Sequence, residues 1–276
     1  EAIKKNFGRM NDMQRKAIFR TQGALLVLAG AGSGKTTVLV NRIANIIKFG
    51  CAYYSDYLAR PVDQGDIDSI KAYLNGDDFA YTYIEDLMSV NAPRPWEILA
   101  ITFTNKAASE LKERLENMLG PDGSEIWAST FHAACARILR RYGDRLGFSN
   151  HFTIYDTDDS RRAMKECQRA LNIEDRVINH KAALAEISRA KDSLITPEEF
   201  KKNAGSDFRL KKIADLYEMY QQSLKRADAM DFDDIITNTV YLLESDPEVL
   251  DYYQSRFKYI MVDEYQDTNH AQYRLV

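Results

Sequence analysis

The most informative stretch of the sequence is a glycine-rich loop whose residues could hold a phosphate. It reads AGAGSGKT and matches G-x-x-x-x-G-K-[ST], with Ala29 in place of the first glycine. Such glycines let backbone N–H groups turn toward phosphate oxygens, and the helix that follows adds the positive end of its dipole. Lys35 supplies a point charge, and the Thr36 hydroxyl is a hard oxygen ligand for Mg²⁺. The pattern therefore favours a nucleotide site over a plain strand–helix turn, with these candidate residues: Ala29, Gly30, Ala31, Gly32, Ser33, Gly34, Lys35, Thr36 and Thr37.

A second motif, YIMVDEYQDT, places two acids at the end of an apolar run. Ligands of open α/β sheets bind at the carboxyl ends of the strands, so Asp263 is expected to face the phosphate loop and hold Mg²⁺. Glu264 is then placed to accept a proton from an attacking water. Two acids at a strand end are often only solvated. Their company with a phosphate loop, and with Gln266 close behind, favours the catalytic interpretation.

Gln14 has two interpretations. Asn11 with Gln14 three residues later is the pattern of a capping box, in which both side chains satisfy free backbone N–H groups. A glutamine amide can also pair with an adenine edge, because it donates and accepts at once. Spacing alone favours the cap.

Four apolar runs predict buried parallel strands, and helical patterns follow three of them directly. The runs are 24–29, 98–103, 125–130 and 259–263. Strand–helix alternation predicts an α/β fold with a parallel sheet. Residues 51–91 are acidic and tyrosine-rich and are expected to be an insertion, whereas 143–228 has only helical patterns. We therefore predict one α/β domain from 1–142 and 229–276, interrupted by a helical subdomain at 143–228.

Composition indicates a globular protein without a membrane span. Hydrophobic residues make up 45% and charged residues 28% of the chain. No apolar run approaches the ~18 residues needed to cross a bilayer. The cysteines, Cys51, Cys135 and Cys167, suit neither a metal site nor a disulfide framework, so the cytoplasm is the expected location. The net charge of −4 neither indicates nor excludes a nucleic-acid partner.

Six motifs occur in an order that resembles a known family. They are MNDMQRKAI, AGAGSGKT, ILAITFTNKAASELKERL, STFHAACARILRR, MDFDDII and VDEYQDTNHAQ. Together they resemble the N-terminal part of superfamily 1A DNA helicases of the UvrD/PcrA/Rep type. The resemblance covers nearly the whole chain except 51–91, and it implies a RecA-like P-loop NTPase fold, ATP and Mg²⁺ as cofactors, and single-stranded or duplex-junction DNA as the partner.

The resemblance also implies roles for single residues. Gln14 matches the adenine-reading glutamine, which outweighs the cap as its main interpretation. Lys35 and Thr36 match the phosphate and Mg²⁺ residues, Asp263 the Mg²⁺ acid, and Glu264 the catalytic base. Gln266 matches a glutamine that senses the γ-phosphate. The residues that match DNA-contacting positions are Thr102, Phe103, Thr104, Asn105, Thr130, Phe131, His132 and Phe232.

The DNA assignments agree with the physics of strand binding, in which aromatic rings stack on bases while amides, hydroxyls and helix N–H groups meet phosphates. Each also has a simpler interpretation. Phe103 could close a hydrophobic core, and His132 could bond the start of a helix. A basic run of Arg137, Arg140, Arg141 and Arg145 could line a DNA path, but it is more typical of a solvated helix face.

The same resemblance predicts a second RecA-like domain that completes the ATP site with arginines. None of its motifs occurs in this sequence, and the chain stops soon after the last predicted strand, so we expect a fragment with little turnover of its own. Three alternatives stay open: the helicase part of a helicase–nuclease, a P-loop NTPase that does not touch DNA, and a module that binds weakly without turnover.

Overall fold

The chain folds into two compact units. A computed structural model describes residues 1–30, 32–58 and 60–276. The first unit comprises Glu1–Ser129 and Arg256–Asp263, and the second comprises Thr130–Ser255 and Glu264–Val276. The α/β domain and helical subdomain boundaries expected from the sequence stay a prediction.

A small parallel sheet organises the first unit. Its strands are β1 (Ile98–Thr102), β2 (Trp127–Thr130) and β5 (Tyr259–Val262), in the order β2-β1-β5. β1 and β5 run parallel, with Ile98 opposite Tyr259 and Ile101 opposite Val262. The predicted strands at 98–103, 125–130 and 259–263 are thus confirmed within a residue or two at their ends. All five residues of β1 are buried, and the first four are apolar, as suits a strand covered on both faces.

The prediction of a buried strand at 24–29 is wrong in this structure. The segment carries no strand, and the side chains of Leu26 and Leu28 are 63% and 86% exposed. An apolar run forms a strand only where a neighbouring strand offers backbone partners, and the run itself cannot supply that neighbour. Its apolar residues therefore lie exposed just before the phosphate loop.

Helices of the first unit begin and end where local signals place them. They are α1 (Ala2–Lys5), α2 (Asp12–Phe19), α3 (Lys35–Phe49), α4 (Gln64–Leu74), α5 (Asn105–Leu119) and α6 (Pro121–Glu125). Thr104 caps α5 by accepting the N–H of Ala107 at 3.1 Å. Glycines with positive φ end the two long helices, Gly50 after α3 and Gly120 after α5. Short 3₁₀ turns lie at Ala52–Tyr54, Asp78–Tyr83, Asp86–Met88 and Pro95–Glu97.

The second unit is mainly helical, as the sequence predicts for most of its length. Its helices are α7 (Phe131–Tyr142), α8 (Thr157–Ala170), α9 (His180–Asp192), α10 (Pro197–Asn203), α11 (Phe208–Arg226), α12 (Phe232–Ser245), α13 (Pro247–Arg256, which ends at the first residue of the other unit) and α14 (His270–Leu275). Thr196 caps α10, and Pro197 is its first residue. A two-stranded parallel ladder, β3 (Thr153–Ile154) with β4 (Ala229–Met230), was not predicted. Among the described residues, no helix is both long and apolar enough to cross a membrane.

The predicted insertion at 51–91 is closed at its base and shares a core with α2 and α3. The N–H of Cys51 donates to the Val90 carbonyl at 2.9 Å, and the N–H of Val90 donates to the Phe49 carbonyl at 3.1 Å. The Tyr53 ring stacks on Phe19 of α2 with centroids 4.0 Å apart. The insertion therefore packs against α2 and α3, the two helices that flank the phosphate loop.

Replacing Gly50 with alanine is expected to destabilise the first unit by about 2–4 kcal/mol in urea unfolding, because a Cβ there would lie 2.0 Å from the Val90 carbonyl oxygen. Gly120→Ala is the matched control. Gly120 has nearly the same backbone conformation, φ 62° and ψ −137° against 58° and −123°, also ends a helix, and has nothing within 4 Å of its own Cβ position. Equal losses of stability in the two variants would contradict the close contact that shuts the insertion.

Candidate functional site

The phosphate loop turns tightly into α3. Gly34 is the N-cap of α3 and has φ 84°, and Gly32 has φ 74°, values that favour glycine. The Ser33 hydroxyl donates to the Gly30 carbonyl at 2.7 Å and holds the turn. Ala31 lies outside the described residues. The exposed loop therefore ends at a helix N-terminus, the arrangement that binds anions.

The side chains of Lys35 and Thr36 carry the loop's chemistry. The Lys35 ammonium lies back over the loop and donates to the Ala29 carbonyl at 3.3 Å. The Thr36 hydroxyl donates to Asp263 Oδ2 at 3.2 Å. These two hard oxygens fit Mg²⁺, which usually takes one or two protein ligands and fills its octahedron with water and phosphate oxygens. Thr37, the last predicted loop residue, is half-buried in the first turn of α3.

The sheet brings Asp263 to this position. Its N–H donates to the Ile101 carbonyl at 2.9 Å, which extends the pairing of β5 with β1 by one residue. The carboxylate therefore leaves the sheet at the carboxyl end of both strands, where ligands of open α/β sheets bind. The fold thus joins Thr36 and Asp263, which are 227 positions apart in sequence, by a hydrogen bond.

Gln14 serves the cap and reaches the loop at the same time. The Asn11 side chain accepts the N–H of Gln14 at 2.9 Å, and Gln14 Oε1 accepts the N–H of Asn11 at 3.0 Å, so the predicted capping box is confirmed. Gln14 Nε2 donates to the Ser33 carbonyl at 3.2 Å. The cap thus holds the amide against the phosphate loop, while its adenine contact stays a prediction.

Glu264 has an unusual backbone. It lies in the left-handed region at φ 50°, ψ 43°, which costs a non-glycine residue about 1–3 kcal/mol and is often found at active sites. Its Oε2 accepts Gln266 Nε2 at 2.5 Å. The sequence shows the acid but not this strain, which comes from the sharp turn that follows β5.

The first predicted DNA motif spans the end of β1 and the start of α5. Thr102 is buried, Phe103 is half-buried, and Asn105 is exposed in the first turn of α5. Thr104 is occupied as the helix cap. Thr104 is exposed as well, so Phe103 and Asn105 are the members of this motif that offer surface and do not serve as the cap.

The second predicted DNA motif offers only part of its expected residues at the surface. Phe131 is only 1% exposed and packs in the core, so its ring is not offered to a strand. Thr130 is buried and caps α7 by accepting the N–H of Ala133 at 3.2 Å. His132 is half-buried, and its ring lies 5.1 Å from that of Phe232, which is 55% exposed. Phe131 lies on the apolar face of α7 that packs into the core, whereas the His132–Phe232 pair lies at the surface of the second unit.

Burial favours the neutral form of the His132 ring. Burial lowers its pKa below the usual range, and the carboxylate of Asp233 opposes that shift only in part. A neutral imidazole beside Phe232 is an aromatic surface on which a base can stack.

Three arginines in α7 and in the turn that follows it are bonded to other residues of the second unit. Arg140 donates to the Phe152 carbonyl at 2.6 Å and lies over the Phe152 ring. Arg141 donates to the Tyr252 hydroxyl at 2.8 Å, and Arg145 pairs with Glu248. The structure thus favours packing and surface pairing over a prepared DNA path for these three side chains.

Comparison with known proteins identifies the class. The family model of the UvrD/REP helicase N-terminal domain matches residues 10–58 and 81–276. The chain belongs to this family. The unmatched gap falls inside the predicted insertion.

The relatives are bacterial helicases. The chain is 42% identical over 267 residues to the ATP-dependent DNA helicase PcrA of Staphylococcus epidermidis, covering 97% of this chain and 31% of the relative. It is 42% identical to the protein of the same name from Bacillus subtilis, covering 97% of this chain and 30% of the relative. The chain thus spans about a third of the length of these relatives.

Proposed function

We propose that this chain is the ATP- and single-stranded-DNA-binding part of an ATP-dependent 3′→5′ DNA helicase or translocase, built on a RecA-like P-loop fold. The observation that carries the proposal is the contact between Thr36 and Asp263, 3.2 Å apart, which joins the phosphate loop to the carboxyl end of β5. Family membership and the names of the relatives support the DNA part. The reducing cytoplasm is the proposed location, supported by three free thiols, Cys51, Cys135 and Cys167.

In the proposed mechanism, the loop N–H groups and Lys35 hold the phosphates of ATP, and Gln14 reads the adenine. Thr36 and Asp263 would hold Mg²⁺, which when bound neutralises phosphate charge. Glu264 takes the proton of the attacking water, and Gln266, which is already bonded to that carboxylate, links its position to the state of the γ-phosphate.

For DNA binding we propose that each unit supplies its own contacts: Phe103 of the first unit and His132 and Phe232 of the second offer rings to bases, and Asn105 at a helix start meets phosphate. Each stacked base is worth about 1–3 kcal/mol, and the contact is tolerant of sequence because every base has a π-face. A translocase needs such sequence-independent contacts, because it must hold each new base as the strand moves.

The test is ATP hydrolysis by the full-length protein with and without single-stranded DNA, together with unwinding of duplexes that carry a 3′ or a 5′ tail. We expect single-stranded DNA to stimulate hydrolysis at least about 10-fold, a size typical of the coupling between two sites of one protein. Unwinding should require the 3′ tail. Hydrolysis indifferent to DNA would support an NTPase of another kind, and unwinding only from a 5′ tail would contradict the proposed polarity.

A further inference from the structure

The second unit contains a buried lysine that bridges two carboxylates. Lys191, in the last turn of α9, is 1% exposed, and Asp231 and Asp234 are 7% and 3% exposed. Lys191 Nζ donates to Asp231 Oδ2 at 2.7 Å, and it lies 2.8 Å from Asp234 Oδ1. Sequence patterns do not indicate this cluster, because the lysine is 40 positions from the first aspartate.

All four carboxylate oxygens have donors. Asp231 Oδ1 accepts the N–H of Asp234 at 2.9 Å, and Asp234 Oδ2 accepts the N–H of Asp231 at 3.1 Å, which is a complete capping box. Asp231 Oδ2 also accepts the Tyr220 hydroxyl at 3.1 Å, and Asp234 Oδ1 accepts Gln221 Nε2 at 2.8 Å. The cluster thus ties α9 and α11 to the first turn of α12.

Burying these charged groups costs free energy of folding. Moving ions out of water costs several kcal/mol each, and well-packed apolar residues often replace buried ion pairs without loss of stability. Burial, with the nearby charge of Asp231 as a second cause, raises the pKa of Asp234 to about 7. The single positive charge of Lys191 therefore lies between two carboxylates whose negative charges repel each other. Stability alone is therefore a weak reason for the arrangement, and what the cluster holds in place is the better explanation.

What it holds is the exposed aromatic pair. Phe232 is the first residue of α12 and lies between the two aspartates in sequence. The capping box formed by Asp231 and Asp234 spans its backbone. Phe232 is 55% exposed, and its ring lies beside that of His132. Any loosening of the first turn of α12 would move this ring.

We propose that Lys191 is a positioning residue for DNA binding: by bridging Asp231 and Asp234 it locks the first turn of α12 and holds the Phe232 ring beside His132, ready to stack on a base. This inference rests on the proposed DNA-binding function. Under this proposal Lys191, although it is buried and does not touch DNA, contributes to the affinity for single-stranded DNA.

The experiment is a double-mutant cycle in the full-length protein. Affinity for a fluorescent single-stranded oligonucleotide and the melting temperature are measured for Lys191→Met, for Phe232→Ala and for both together. Phe232→Ala is expected to weaken binding about 10-fold, the loss of roughly one base stack. Lys191→Met is expected to weaken it about 5-fold, and to add little once Phe232 is gone. Its effect on melting should persist in both backgrounds.

A spectroscopic readout separates positioning from general stability. With 4-fluorophenylalanine at position 232, Lys191→Met should shift or broaden the ¹⁹F resonance without DNA, well below the melting temperature. The matched control is Lys201→Met, on α10 of the same unit. Lys201 also pairs with two acids, Asp215 and Glu218, but its side chain is 55% exposed. This control should leave affinity and the ¹⁹F signal unchanged.

A charge-free variant covers the case in which Lys191→Met does not fold. Lys191→Met with Asp231→Asn and Asp234→Asn leaves no buried ion, and asparagine still caps α12. We expect it to fold and to bind DNA about 5-fold more weakly, because the bridge is gone. Wild-type affinity in this variant, or equal effects of Lys191→Met with and without Phe232, would overturn the inference. Unchanged affinity in Phe232→Ala would instead overturn the proposed DNA role of Phe232.

Discussion

Replacing Lys35 with alanine in the full-length protein is expected to reduce ATP turnover by at least about 10²–10³-fold, the usual cost of removing a preorganised charge from developing phosphate charge. Lys35 is the first residue of α3, and its ammonium already lies over the loop, bonded to the Ala29 carbonyl at 3.3 Å. Nucleotide affinity should fall as well, because the same charge faces the phosphates of bound ATP. Steady-state hydrolysis with saturating single-stranded DNA, together with the affinity for a fluorescent ATP analogue, measures both effects.

Lys48→Ala is the control for this variant. Lys48 is exposed in the last turn of the same helix, about 20 Å away along its axis, so the substitution removes the same charge from the same helix without touching the loop. It should hydrolyse ATP normally. Near-normal turnover in Lys35→Ala would contradict the assignment of the phosphate loop, whatever the DNA result.

Glu264→Gln should separate binding from hydrolysis. The amide keeps the size of the side chain and can still bond Gln266, but it cannot take a proton from water, so turnover should fall by about 10²–10⁴-fold. Affinity for ATP should stay within about two-fold, since the proposed partner of Glu264 is the attacking water and not the nucleotide. A single-turnover measurement with pre-bound ATP distinguishes slow chemistry from weak binding.

Glu113→Gln, the same substitution at an exposed position on α5, should change neither quantity. Loss of ATP binding in Glu264→Gln would argue that the residue holds the nucleotide or the local fold and is not the base. Its left-handed backbone makes this distinction necessary, since a strained residue can fail for conformational reasons. Melting temperatures of the two variants and the wild type control for that possibility.

Local patterns predicted the secondary structure well where the physics is local. The capping box at Asn11 and Gln14 lies where the sequence predicts it. The proline that opens α10 and the glycines that end α3 and α5 follow the same kind of local rule, because caps and breakers act over three or four residues. The apolar run at 24–29 failed for the complementary reason. A strand is completed by a neighbour, and the composition of the run says nothing about that neighbour.

The sequence by itself determined the phosphate loop, the pair of acids after the last strand and the order of motifs that defines the family, because each is a matter of residue type and spacing. The sequence also predicted that Asp263 faces the phosphate loop, and the tertiary structure added its direct hydrogen bond with Thr36. Tertiary structure alone decided two things: that Phe131 turns inward while Phe232 stays exposed, and that Lys191 lies buried between two aspartates. Each depends on distant segments packing together. Burial and pairing energies belong to those contacts, and no short stretch of sequence contains them.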